Sequence, residues 1–87
     1  STNKNNIAIL NLSKIQSIFD KTKNNLGGII DLKILKEKKL INKKYQKLKI
    51  LGSGEIKKEL NISAHFASKQ ALEKIEKAGG KLSIVKK

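Results

Sequence analysis

The sequence predicts a small α/β domain with about three helices. Two patterns predict it. Short aliphatic runs of strand length occur near residues 7–10, 47–51, 60–62 and 82–85, and segments with helical apolar spacing stand between them. Ser, Asp and paired Gly residues stand at the boundaries, where helix caps and stops belong. Size agrees: 87 residues make one domain, and a chain this short buries only about 60–65% of the surface it exposes when unfolded.

Taken in order, Ser1 to Asn6 are polar and read as an extended lead-in. Ile7, Ala8, Ile9 and Leu10 form a buried strand. Ser13 and Gln16 have capping-box spacing, and Ile15, Ile18, Phe19 and Thr22 continue it as a helix over 13–22. Asn24, Asn25, Gly27 and Gly28 break the chain, and Ile29 and Ile30 form a two-residue apolar stub. Asp31 caps a second helix over 31–39, with Leu32 and Leu35 toward the core. Lys47 to Leu51 alternate as a half-buried strand, Gly52-Ser53-Gly54-Glu55 turn, and Leu60 and Ile62 alternate with Glu59, Asn61 and Ser63 as another strand. Ser68 caps a helix over 68–78 whose face is Ala71, Leu72, Ile75 and Ala78, and Gly79-Gly80 stop it. Leu82, Ile84 and Val85 make the last strand. No linker or repeat divides the chain, so 1–87 reads as one domain.

The charge is lopsided: 20 Lys, no Arg, 7 acids, net +13. AT-rich coding favours Lys, Asn and Ile, but such a bias leaves acids free to balance the lysines, and they do not. A polyanion is the expected partner, nucleic acid first. The chain has no Cys and one His, which leaves no disulfide frame, no Cys-based zinc site and little for triad chemistry. No apolar run nears the roughly 20 residues of a membrane span, and no secretory signal opens the chain. With only Phe19, Tyr45 and Phe66 aromatic, base stacking on aromatic platforms is not expected.

No catalytic residue, metal ligand, cofactor or small-molecule substrate is predicted. His65 lies between a strand and a helix, and no motif joins it to Ser63, Ser68 or Glu59, so it reads as a packing or hydrogen-bonding loop residue. Gly52-Ser53-Gly54 lacks the Gly-Lys-Ser/Thr ending of a phosphate loop and reads as a turn.

Residues 33–49 hold eight Lys and one Glu, a net +7 in 17 positions. Lysine acts on phosphate as a point charge, whereas arginine reads base edges bidentately, so an all-Lys chain points to phosphate positioning rather than sequence readout. Lys43, Lys44, Lys47 and Lys49 are the leading RNA contacts, with Lys36 and Lys39 beside them. Lys57, Lys58, His65 and Lys69 come second; Ser68 and Lys69 open a helix, where backbone N–H groups suit a phosphate.

From Lys49 onward the sequence resembles the bacterial-type family of the fifteenth protein of the large ribosomal subunit. The resemblance rests on Lys49-Ile50-Leu51-Gly52-Ser53-Gly54-Glu55-Ile56, then Leu60-Asn61-Ile62, Ala67-Ser68, Ala71, Ile75 and Gly79-Gly80. Upstream, Ile9 to Ser13 resemble the family's strand-to-helix entry, and Gly27 to Leu32 its Gly-Gly-apolar-Asp-Leu segment. The resemblance implies an irregular superhelix of β-β-α turns. It implies a non-enzymatic structural role on large-subunit ribosomal RNA among neighbouring ribosomal proteins, in assembly and translation, with no membrane. A bacterial cytoplasm and an organelle with a bacterial-type ribosome both fit. Members carry a Gly/Arg-rich N-terminal arm; this chain begins just after the point where it would end, and reads as the globular C-terminal domain. Gly52, Ala71, Ile75 and Gly79 read as fold determinants rather than contacts. The alternatives are a free lysine-rich protein that compacts nucleic acid, and a basic docking domain for an acidic protein.

Overall fold

A computed structural model of the chain describes residues 6–22 and 29–85. The α/β prediction holds. Among the described residues the order is β1 (Ile7–Asn11), α1 (Leu12–Thr22), α2 (Leu32–Glu37), β2 (Lys47–Leu51), β3 (Asn61–Ala64), β4 (Phe66–Ala67), α3 (Lys69–Lys77) and β5 (Lys81–Ile84). Three helices stand among the described residues, as the spacing predicts. The readings for Ser1–Asn5, for Asn24, Asn25, Gly27 and Gly28, and for Lys86 and Lys87 lie outside the described residues.

The strands form two parallel sheets. One runs β1-β2-β4 and the other pairs β3 with β5. Parallel neighbours need a crossover, and helices supply it for two of the three pairs; between β2 and β4 the chain passes through the 52–60 connection and β3 instead. The segment with α1 and α2 carries β1 back to β2, and α3 carries the chain from the β3–β4 side back to β5. The Ile29–Ile30 stub adds a rung beside β3: Ile30 N–H donates to Asn61 C=O at 2.8 Å, and Ser63 N–H to Ile30 C=O at 2.8 Å.

β3 and β4 are separated only by His65, yet they belong to different sheets. The sequence pattern predicts no strand between β3 and the following helix. A two-residue strand has no period to recognise; it exists because Lys49 and Ile50 of β2 pair with Phe66 and Ala67. His65 makes the turn between the sheets. Its N–H donates to Leu48 C=O at 2.9 Å, and its Nδ1 accepts from Leu48 N–H at 3.1 Å. The imidazole thus stands in for a backbone carbonyl where the ladder changes partner, the hydrogen-bonding role expected of it.

The core is aliphatic. Among the described residues sixteen hydrophobic residues are buried, all Ala, Leu or Ile, and no polar side chain is. Ala8 and Leu10, with Leu48 and Ile50, face inward from β1 and β2; Leu12, Ile15 and Ile18 come from α1, Leu35 from α2, and Ala71 and Ile75 from α3. Ala71 has no room on the helix face, and Leu72 and Ala78 flank it half-buried.

The helix ends refine the expected boundaries. Asp31 and Ser68 cap as predicted, accepting from Ile34 N–H at 2.9 Å and Ala71 N–H at 3.1 Å. The Ser13–Gln16 capping box does not form. Helix α1 starts one residue earlier, Asn11 Oδ1 accepts from Lys14 N–H at 2.8 Å, and Ser53 C=O takes the Leu12 N–H at 2.9 Å. Gln16 is drawn away because its Oε1 accepts from Lys57 N–H at 2.9 Å and its Nε2 donates to Asp20 at 3.1 Å. Helix α2 ends at Glu37 rather than Lys39, because Lys39 turns to φ 59°.

Candidate nucleic-acid interface

Strand pairing decides which lysines share a surface. Along β2, Leu48 and Ile50 are buried, so Lys47 and Lys49 rise on the opposite face. Across the sheet Lys49 is in register with Ile9 of β1 and with Phe66 of β4. Lys47 reaches over the Phe66 ring, its Nζ 5.9 Å from the centroid. Two of the four leading lysines are thus on an open sheet face beside an exposed aromatic ring.

Lys43 and Lys44 precede β2 on an exposed turn. Asn42 Oδ1 accepts from Lys44 N–H at 2.9 Å, a side-chain mimic of a backbone turn that sets the path into the strand. The Lys44 ammonium stands 5.4 Å from the Tyr45 ring centroid. Lys36 is half-buried in the last turn of α2, and exposed Lys39 sits just beyond it. The predicted basic stretch therefore becomes a helix end, a turn and one face of a strand.

Of the second set, His65 adjoins that group through its two hydrogen bonds to Leu48, between Lys47 and Lys49, whereas Lys57, Lys58 and Lys69 stand on other segments. Lys57 and Lys58 are exposed on the connection from β2 to β3. Lys69 is the exposed first residue of α3. Ser68, read as part of a phosphate-ready helix start, already accepts from Ala71 N–H and from Gly52 N–H, both at 3.1 Å. His65 is half-buried and its Nδ1 is taken, which leaves Nε2–H to donate.

One lysine that sequence reading did not single out is structural. Lys74 Nζ donates to Gly52 C=O at 3.0 Å and Gly54 C=O at 2.8 Å, with Glu55 at 3.8 Å. It ties α3 to the 52–55 turn. Phe66 was also missed as a surface feature. Phe66 is 42% exposed, and the signal for it, an outward position opposite Lys49, exists only once β4 is known. Among the described residues no group of three His, Cys, Asp or Glu is arranged to hold a metal, and no helix is long and apolar enough to cross a membrane.

Fold and surface together define a small basic α/β domain with lysines presented from a strand, a turn and a helix end. The chain belongs to the family of ribosomal proteins that includes 50S-L15 and 50S-L18e, which it matches over residues 9–83. It is 54% identical over 80 residues to the large ribosomal subunit protein uL15 of Pelagibacter ubique, covering 92% of this chain and 52% of that protein. It is 38% identical over 85 residues to the uL15 protein of Syntrophotalea carbinolica, covering 98% and 54%. With the uL15 protein of Kosmotoga olearia the identity is 40% over 83 residues, covering 95% and 53%. The chain spans about half the length of these curated relatives.

Proposed function

We propose that this chain is a structural constituent of the large ribosomal subunit that binds large-subunit ribosomal RNA through lysine–phosphate contacts and supports subunit assembly and translation. The observation that carries the reading is the match to relatives named as large ribosomal subunit proteins, across nearly all of this chain. Residues 1–87 act in it as one RNA-binding unit, seated on the ribosome beside other large-subunit proteins. No reaction is assigned to it.

Lys43, Lys44, Lys47 and Lys49 make the main contacts, with Lys36 and Lys39 on the same stretch. Lys57, Lys58 and Lys69 add phosphate contacts, and His65 donates from Nε2. Local charge supports the first group: net +7 between residues 33 and 49 raises mutual repulsion that a phosphate backbone relieves. Lysine chemistry supports positioning over base reading.

The test is binding of the chain to structured large-subunit RNA across a salt series. Changing Lys43, Lys44, Lys47 and Lys49 together to Gln should weaken binding and shallow the log–log salt slope by roughly 0.7–0.9 for each phosphate no longer neutralised. Stability should not fall, because none of the four side chains is buried and their removal relieves repulsion within the net +7 segment. Identical slopes and affinities would move the RNA face elsewhere. Equal affinity for duplex DNA and structured RNA would favour a nucleic-acid-compacting protein instead.

A further inference from the structure

We propose that the outer face of the β1-β2-β4 sheet holds an unpaired RNA nucleotide, its base stacked on Phe66 and its flanking phosphates on Lys47 and Lys49. The proposal rests on the RNA-binding reading above and adds a second kind of contact to it.

Parallel sheets are normally covered on both faces. Here the inner face is covered: Ala8, Leu10, Leu48 and Ile50 are all buried. The outer face is not. Ile9 is 57% exposed and Phe66 42%, Lys47 is exposed, and Lys49 is half-buried between them. The register makes Ile9, Lys49 and Phe66 one row across three strands. An open face that carries its only exposed aromatic ring at the edge strand is an incomplete surface.

Charge complementarity decides the occupant. Lys47 and Lys49 stand in the middle of the face, and β1, β2 and β4 contain no acidic residue. Two cations spaced among apolar groups interrupt a protein–protein core, where charge is depleted. They suit a nucleotide, which combines a flat π-face with phosphates a few ångströms away. The 5.9 Å approach of Lys47 Nζ to the ring is at the outer limit of a cation–π contact. A base arriving on Phe66 shifts this long side chain toward the phosphate that it then neutralises. Stacking tolerates any base, so the site selects for an unpaired nucleotide and not for a sequence. The scarcity of aromatics does not exclude this, because one placed ring is enough.

The test compares two RNA hairpins, fully paired and carrying one bulged 2-aminopurine. The wild-type chain should prefer the bulged hairpin by roughly 5- to 150-fold, the range of one base–aromatic stack. Fluorescence of the bulged base should change on binding. Phe66→Leu should erase both the preference and the fluorescence change, with the salt slope unchanged; Phe66→Tyr should keep them. Lys47→Gln and Lys49→Gln should each shallow the slope by about 0.7. Circular dichroism should match wild type for all four, since none of these side chains is buried. Phe66→Leu with a wild-type preference for the bulge would overturn the stack and leave phosphate binding intact. Binding of neither hairpin by the wild-type chain would overturn both readings.

Discussion

Lys39 has the backbone of a glycine. It follows α2 at φ 59°, and its N–H donates to Lys36 C=O at 3.0 Å while Leu40 N–H donates to Leu35 C=O at 2.8 Å. Gly79 and Gly80 close α3 with the same pair of bonds, to Glu76 and Ile75, with Gly79 at φ 91°. The left-handed conformation costs a side-chain-bearing residue about 1–2 kcal/mol. Glycine avoids that but loses about 0.5–1 kcal/mol more backbone entropy on folding. Lys39→Gly should therefore stabilise the chain by roughly 0.5–1 kcal/mol in urea or thermal unfolding, while it removes one proposed phosphate contact. At His65 the effect is opposite. His65→Ala leaves Leu48 N–H without an acceptor in a part-buried site and should cost about 1–3 kcal/mol. Asn places its Oδ1 where Nδ1 now accepts, so His65→Asn should recover most of that loss. An Asn variant as unstable as the Ala variant would show that ring packing, not the hydrogen bond, matters there.

Among the elements, α3 is the most tightly specified. Ser68 caps its start and also takes the Gly52 N–H, Lys74 straps its middle to the 52–55 turn, and Gly79 and Gly80 close its end. Close backbone approach explains two of the glycines. A Cβ on Gly52 would meet Gln70 Cβ at 2.6 Å and Ala71 N at 2.7 Å, and one on Gly80 would run into the backbone of Leu60. Side-chain-free residues let α3 lie against the end of β2 and let β5 enter beside β3. Ala71→Lys should cost on the order of several kcal/mol, because a fully buried methyl would become a long cation with no partner in an aliphatic core. A thermal midpoint unchanged by that substitution would contradict the packing of α3.

Over the whole molecule, charge opposes folding. The net charge of +13 is spread over dimensions of about 37 × 26 × 21 Å. At 0.01 M salt the Debye length is about 30 Å, so nearly every lysine repels every other; at 0.15 M it is about 8 Å. The thermal midpoint of the free chain should therefore rise with monovalent salt over that range, while RNA affinity falls over the same range. A flat or falling midpoint would mean that local pairs such as Lys74–Glu55 outweigh the global repulsion.

The sequence by itself determined the fold class, the three helices, the aliphatic core and the excess of positive charge that points to a polyanion. Each follows from local signals: apolar spacing, caps such as Asp31 and Ser68, the paired glycines, and a lysine count that no acid balances. It also carried the family resemblance, since Gly52, Ala71, Ile75 and Gly79–Gly80 stand at fixed spacing. Tertiary structure decided what depends on partners distant in the chain. Gln16 leaves its predicted cap for a backbone N–H 41 residues away, and Asn11 with Ser53 starts α1 instead. Lys74, one of twenty alike in sequence, becomes a strap because two carbonyls of the 52–55 turn converge on it. Phe66 becomes a surface ring beside Lys47 because two residues of β4 pair with β2, and a strand of two residues has no periodicity of its own. Period and cap chemistry are written along the chain; register and convergence arise only when strands pair and helices pack across it.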